Sequence, residues 1–193
     1  MDQNGVEKAA RRLDRARRAY DEMLRSERFE EFEPAWSDFL LAANAVLSLL
    51  EQAAKGNASA QGWSDKNKYR RRTDPLLSYL HQARNTDENG LARVAAHHAG
   101  SIAIGIKEDF SLDYLRIDEH GNVEFGVPKG APIPKIEIKF PQPVLIPVKD
   151  ARSGRTFQPP VEHNNEPFTP TPGNVAQAML TYLDLVLAEA RAT

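Results

Sequence analysis

At 193 residues the chain is long enough for one domain, or a domain with an insertion, and its 41% hydrophobic residues are enough for a core. A formal net charge of −2 gives no overall attraction for nucleic acid, so any such site has to be a local patch. The absence of cysteine excludes disulfides, thiolate metal sites and cysteine nucleophiles.

The opening MDQNGVEKAARRLDRARR has no apolar stretch behind its charges and does not read as a signal peptide. The longest mostly apolar run, Phe39 to Leu50, contains Asn44 and Ser48 and falls far short of the roughly 20 residues a membrane span needs. The expectation is a soluble, cytoplasmic protein with no membrane partner.

Val6, Ala9, Leu13, Ala16, Tyr20 and Met23 recur at steps of three and four, which predicts a first helix from about Val6 to Arg25. Its other face carries Arg11, Arg12, Arg15 and Arg18, with Arg17 beside them and Asp14 and Asp21 as offsetting charges. A second helix is expected from near Pro34, because proline suits a first turn where its missing N–H has no partner to lose. Trp36, Phe39, Leu40, Ala43, Val46, Leu47, Leu50 and Ala54 form its apolar stripe, and Gly56-Asn57 is a plausible stop. Residues Asn57 to Gly62 read as a loop, and Trp63 to Arg72 as a short helix or an irregular basic segment. Asp74-Pro75 then signals a helix start, an Asp cap with proline at the first helical position. That helix buries Leu76, Leu80 and Ala83 and is stopped by Gly90.

Beyond Gly90 the period changes from helix to strand. Ile102, Ile104 and Ile106 alternate with smaller residues. Leu115 and Ile117, then Val123, Phe125 and Val127, flank Glu119-His120-Gly121-Asn122 and read as a hairpin. Lys135 to Phe140 alternates strictly, Val144, Ile146 and Val148 follow, and Arg152-Ser153-Gly154 makes a second turn. Eleven of the 13 prolines lie between Pro128 and Pro172, which confines these strands to short or edge positions and leaves Pro159 to Pro172 as a surface connection. A last helix runs from about Gly173 to Ala190 and buries Val175, Met179, Tyr182, Leu183, Val186 and Leu187 against the N-terminal helices. The expected fold is α+β: a single domain over 1–193, with about four helices (5–90 and 173–191) and a short-stranded antiparallel β insertion (100–165) before the C-terminal helix.

The helix after Asp74 carries the most distinctive chemistry. His81, Arg84 and Glu88 follow one another on one face, and Asn85 and Asn89 lie four apart on the adjoining face. Ordinary readings compete here: an ion pair of Arg84 with Asp87 or Glu88, a surface His81, and Asn89 as a helix C-terminal residue beside Gly90. Lys66, Lys68, Tyr69, Arg70, Arg71 and Arg72 form the densest basic run, with an aromatic among the cations. Such a mixture suits the phosphates and bases of single-stranded RNA, and equally a solvated helix face. His97-His98 and Glu162-His163 lack metal-site spacing, and no Gly-rich phosphate loop or nucleophile elbow is present. No cofactor or metal is expected.

An amphipathic bundle whose later helix ends in Arg84-Asn85 resembles the HEPN superfamily, the higher eukaryotes and prokaryotes nucleotide-binding domains. The motif of that family is Arg, often with a polar residue after it, then four to six residues, then His. Arg84 and Asn85 match the first half, whereas the His position falls on Asn89, Gly90 or Leu91. The resemblance covers Val6 to Gly90 and the last helix, and leaves out the β segment. It implies a homodimer and a metal-independent endoribonuclease site built on Arg84, Asn85 and Asn89. Arg84 would grip phosphate, but Asn89 cannot exchange a proton near neutral pH. The expected function is RNA binding or weak, degenerate ribonuclease activity. The competing expectation is a non-catalytic scaffold whose β segment docks a protein partner along its strand edges.

Overall fold

Asp2 opens the first helix. In the computed structural model its carboxylate accepts the backbone N–H groups of Asn4 (3.2 Å) and Gly5 (3.1 Å), capping α1, Gln3–Arg25. The structure describes residues 1–88, 94–98, 101–105, 112–118, 123–130, 135–139, 142–164 and 166–193. The predicted stripe is buried, with Ala19 inward in place of the half-buried Tyr20.

The second helix, α2, spans Phe29–Ala53 and so starts before Pro34. Aromatic packing explains the difference. Phe29 stacks on Phe32, Phe32 on Trp36, and Trp36 on Phe39, with ring centroids 5.8, 6.3 and 5.7 Å apart. That ladder draws the turns before Pro34 into the core, while Arg28 folds back onto the Glu31 carboxylate at 2.6 Å. Proline there forgoes only the hydrogen bond its N–H would have made to the Glu30 carbonyl.

The stretch expected as a loop, Asn57 to Gly62, is largely helical: α3 runs Ala58–Thr73. Asn57 is a cap and not a stop, its side chain accepting the Ala60 N–H at 3.0 Å. Asp74 ends α3 and begins α4, Pro75–Glu88, where its carboxylate accepts the Leu77 N–H at 3.0 Å as the sequence predicted. The last helix, α5, spans Pro172–Arg191 behind a Thr171 cap, and the face predicted for it is buried except for half-buried Tyr182.

The chain divides into two compact units, Met1–Ala96 with Pro143–Thr193, and His97–Gln142. The first holds the five helices of the described residues. The α1 and α2 helices are antiparallel neighbours, tied where the Asp2 N–H donates to the Ala53 carbonyl at 3.0 Å. α5 lies against both, and α4 packs on α2 and α3. Polar ties between elements include Arg17 to Asp184, Trp63 Nε1 to Glu189 (3.0 Å) and the Tyr182 hydroxyl to Asn67 (3.3 Å). The buried core cluster, from Val6 to Ala190, lies within this unit.

The strands are short: β1 (Ala95–His98), β2 (Ser101–Gly105), β3 (Tyr114–Ile117), β4 (Val123–Gly126), β5 (Lys135–Lys139), β6 (Gln142–Leu145), β7 (Val148–Lys149), β8 (Thr156–Phe157), β9 (Glu162–His163) and β10 (Glu166–Pro167). They form two-stranded sheets, β1 with β6 and the antiparallel pairs β2–β5, β3–β4, β7–β8 and β9–β10. In β3–β4 the expected hairpin is present, Leu115 facing Phe125 and Ile117 facing Val123; its Glu119 to Asn122 turn lies outside the described residues. In the first unit, β7, β8 and β9 pack along α4, and the Tyr79 hydroxyl of that helix donates to the Ile146 carbonyl at 2.9 Å. Burial pushes the Tyr79 phenol far above its usual range, which keeps it a donor. The architecture is α+β, with small antiparallel strand pairs beside the helices. Among the described residues no helix is long and apolar enough to cross a membrane.

Candidate functional site

A chain of hydrogen bonds runs across α4 into α2. Arg84 donates to Asn85 Oδ1 at 3.1 Å, the Asn85 amide lies 3.4 Å from His81 Nε2, and His81 Nδ1 lies 3.4 Å from Asn44 Oδ1. Asn44 is buried in α2, and its own amide donates to the Leu40 carbonyl at 3.0 Å. The donors and acceptors agree in one direction. With Asn85 donating to Nε2 and Asn44 accepting from Nδ1, the imidazole is the neutral tautomer protonated at Nδ1. The helix supplies the geometry, since His81 and Asn85 are one turn apart and Arg84 sits beside both.

The electrostatics favour the same neutral form. His81 keeps more surface open than Arg84 or Asn85, yet loss of solvent to the packed helices lowers its pKa below the ordinary value. The Arg71 and Arg84 guanidiniums push in the same direction, and the Glu51 carboxylate opposes them. Glu51 is held by Arg71 at 2.8 Å, with side chains only 28% and 19% exposed, so the pair fixes a cation near His81. The arrangement favours a neutral imidazole beside two guanidiniums.

Of the residues singled out in the sequence, the structure brings together His81, Arg84, Asn85 and Arg71. Asn89 lies outside the described residues. The remaining members of the basic run do not share a face, because successive residues on a helix point about 100° apart. Arg71 turns inward to Glu51, Lys68 reaches Asp65 at 3.4 Å, and Lys66 and Tyr69 stand in solvent. Arg70 and Arg72 enter two different clefts. The arginines of α1 are partly spent on neighbours: Arg15 pairs with Asp38 at 3.4 Å, and Arg17 with Asp14 and Asp184. Ser37 of α2 donates to Asp87 at 2.9 Å, a further tie between α2 and α4.

Asn44 and Glu51 were not identified from the sequence as part of this site. Asn44 carried a signal, a lone amide inside the apolar stripe of α2, where a buried polar group needs a partner. Glu51 carried none, since its partner comes from another helix. His97 and His98 end β1 in exposed positions, and Glu162 and His163 form β9. Among the described residues no three His, Asp or Glu side chains are placed to hold a metal ion together. Comparison of the chain with protein-family models, with curated proteins and with solved structures finds no match in any of the three.

Proposed function

We propose that this is a HEPN-like domain protein that binds single-stranded RNA at the Arg84–Asn85–His81 face of α4 and cleaves it weakly without a metal. The observation that carries the reading is the neutral imidazole of His81, hydrogen-bonded between Asn44 and Asn85 and flanked by the Arg71 and Arg84 cations. The Arg-Asn pair ending an amphipathic bundle supports the family reading. The imidazole stands one turn before the arginine, where the family pattern has it after.

In this reading Arg84 grips the scissile phosphate and His81 takes the proton of the adjacent 2′-hydroxyl at Nε2, displacing the long contact from Asn85. The 2′-oxygen then attacks phosphorus and the bond to the 5′-oxygen breaks. A cyclic phosphate remains on one product, and water protonates the 5′-oxygen that leaves. With water as the acid, half of the acid–base contribution is missing, which is consistent with weak activity. By the resemblance, two copies associate about a two-fold axis.

The test is labelled single-stranded RNA incubated in EDTA with the wild type, Arg84→Ala and His81→Asn. Removing one guanidinium–phosphate contact is expected to weaken binding about tenfold, whereas His81→Asn is expected to bind and not cleave. Absence of RNA binding by the wild type would overturn the reading. A second reading rests on the two-stranded sheets, whose short strands offer edges to a partner strand. A pull-down that loses its partner when β5 to β7 are deleted would favour it.

A further inference from the structure

The basic run of α3 ends in a division of labour. Arg72 leaves the helix toward a cleft of about 430 Å³ whose other wall is the 155–162 segment. Arg72, Ser78, Arg155, Phe157, Pro160 and Glu162 are among the residues lining it. Two arginines, 83 positions apart in the sequence, and one glutamate therefore line the same cleft. The volume lies within the range of about 300–1,000 Å³ common to small-ligand sites.

Arg155 is held in place. Its guanidinium lies over the Phe157 ring, 4.7 Å from the centroid, and Phe157 is itself packed against the core. The hairpin behind it is fastened by the Asp150 carboxylate, which accepts the Arg152 N–H at 3.0 Å and the Ser153 hydroxyl, and by the Asp150 N–H, which donates to the Arg155 carbonyl at 2.9 Å. Gly154 at φ 72° allows the turn. A guanidinium over an aromatic ring keeps donors for phosphate and a second face for a nucleobase.

The cleft adjoins the site on α4. Ser78 lies one turn before His81 and two turns before Asn85, on the same side of the helix. Ser78 stands six residues before Arg84, a helix rise of about 9 Å. A strand whose phosphate sits at Arg84 has the cleft beyond Ser78 as one continuation along α4.

The geometry points to this cleft as a second subsite for single-stranded RNA, in which Arg72 and Arg155 bind the phosphate of a neighbouring nucleotide and its base stacks on Arg155. The subsite rests on the RNA-binding reading above and adds to it the residues that hold the strand beyond the cleavage point.

The experiment measures binding of a fluorescently labelled oligoadenylate over a series of salt concentrations, using the wild type, Arg72→Gln, Arg155→Gln, Arg155→Lys and Arg84→Ala. Arg72 and Arg155 are both exposed, and circular dichroism checks that each variant folds. Each Gln variant is expected to bind about tenfold more weakly and to lower the salt slope by about one. Arg155→Lys is expected to restore the slope and not the affinity, since lysine keeps the charge and loses the stacking plane. If Arg84→Ala weakens binding while both Gln variants match the wild type in affinity and slope, the subsite is overturned and the RNA-binding reading stands. If the wild type binds no oligoadenylate at any salt, the RNA-binding reading fails and the subsite fails with it.

Discussion

At His81, partial desolvation acts most strongly against protonation, the Arg71 and Arg84 guanidiniums add to it, and Glu51 opposes them. The Arg71–Glu51 pair acts on top of the burial, its cation disfavouring imidazolium and its anion favouring it. In a proton NMR titration His81 is expected to have a midpoint below the ordinary value of about 6.5. Arg71→Gln is expected to raise that midpoint, since it removes a cation and releases Glu51. An unchanged midpoint would show that Arg71 does not act on the imidazole. The sign for stability follows from the same shift. The folded state holds the neutral form more tightly than the unfolded chain does, so the contribution of His81 is complete above about pH 6.5 and is lost as pH falls from there through the lowered folded value. His81→Gln is expected to lose less stability than the wild type between neutral and mildly acidic pH, as read by urea unfolding. Ser78, Asn85 and Asn44 do not titrate in this range, which leaves the guanidinium pair and Glu51 as the tuning groups.

Between elements, α1 approaches α2 closely. A Cβ on Gly5 would stand 2.7 Å from Ala53 Cβ and 3.3 Å from Ala53 Cα, so the helices meet where neither has room for a larger side chain. Helix propensity alone would make Gly5→Ala stabilising, by about 1 kcal/mol at most. Overpacking against backbone costs about 1–3 kcal/mol, and here it wins. Gly5→Ala is expected to lower the thermal midpoint. The double variant with Ala53→Gly is expected to be more stable than the sum of the two single changes predicts, because the second change reopens the space. Additive effects would mean that α1 can shift away from α2. The same scale explains which elements were legible in the sequence. Stripes such as Val6 to Met23 and Val175 to Leu187 announced their helices, as did the Asp74-Pro75 cap. The start of α2 was hidden because Pro34 resembles a first-turn residue, and only the stacking of Phe29 and Phe32 on Trp36 shows why the helix begins earlier. The start of α3 was hidden because Asn57 suits both a stop after Gly56 and a cap before Ala58.

For the molecule as a whole, the buried core cluster lies in the unit formed by Met1–Ala96 and Pro143–Thr193. Within that unit the Ile146 N–H donates to the Val94 carbonyl at 3.5 Å, so the two cut ends of the chain lie close together. Replacing residues 97–142 by a short Gly/Ser linker is therefore expected to leave the helical far-ultraviolet dichroism and a cooperative thermal transition intact. A shorter connection also closes at lower entropic cost. Loss of the cooperative transition would show that the second unit is required for the helical core. The same variant keeps Arg72, His81, Arg84 and Arg155, and RNA binding is expected to survive in it.

The sequence by itself determined the helices with apolar stripes, the alternating strands of the β segment, the Asp74 cap and the placing of Arg84, Asn85 and His81 on one helix. These are local properties: periodicity, capping and spacing act over a few residues and are written in their order. The tertiary structure alone decided that Asn44 and the Arg71–Glu51 pair lie near His81, and that Arg72 and Arg155 line one cleft. It also decided that the basic run of α3 is divided among different faces and not gathered on one. Those arrangements depend on how helices cross and where a hairpin folds back, and no spacing along the chain encodes the meeting of residues 44 and 81 or of residues 72 and 155.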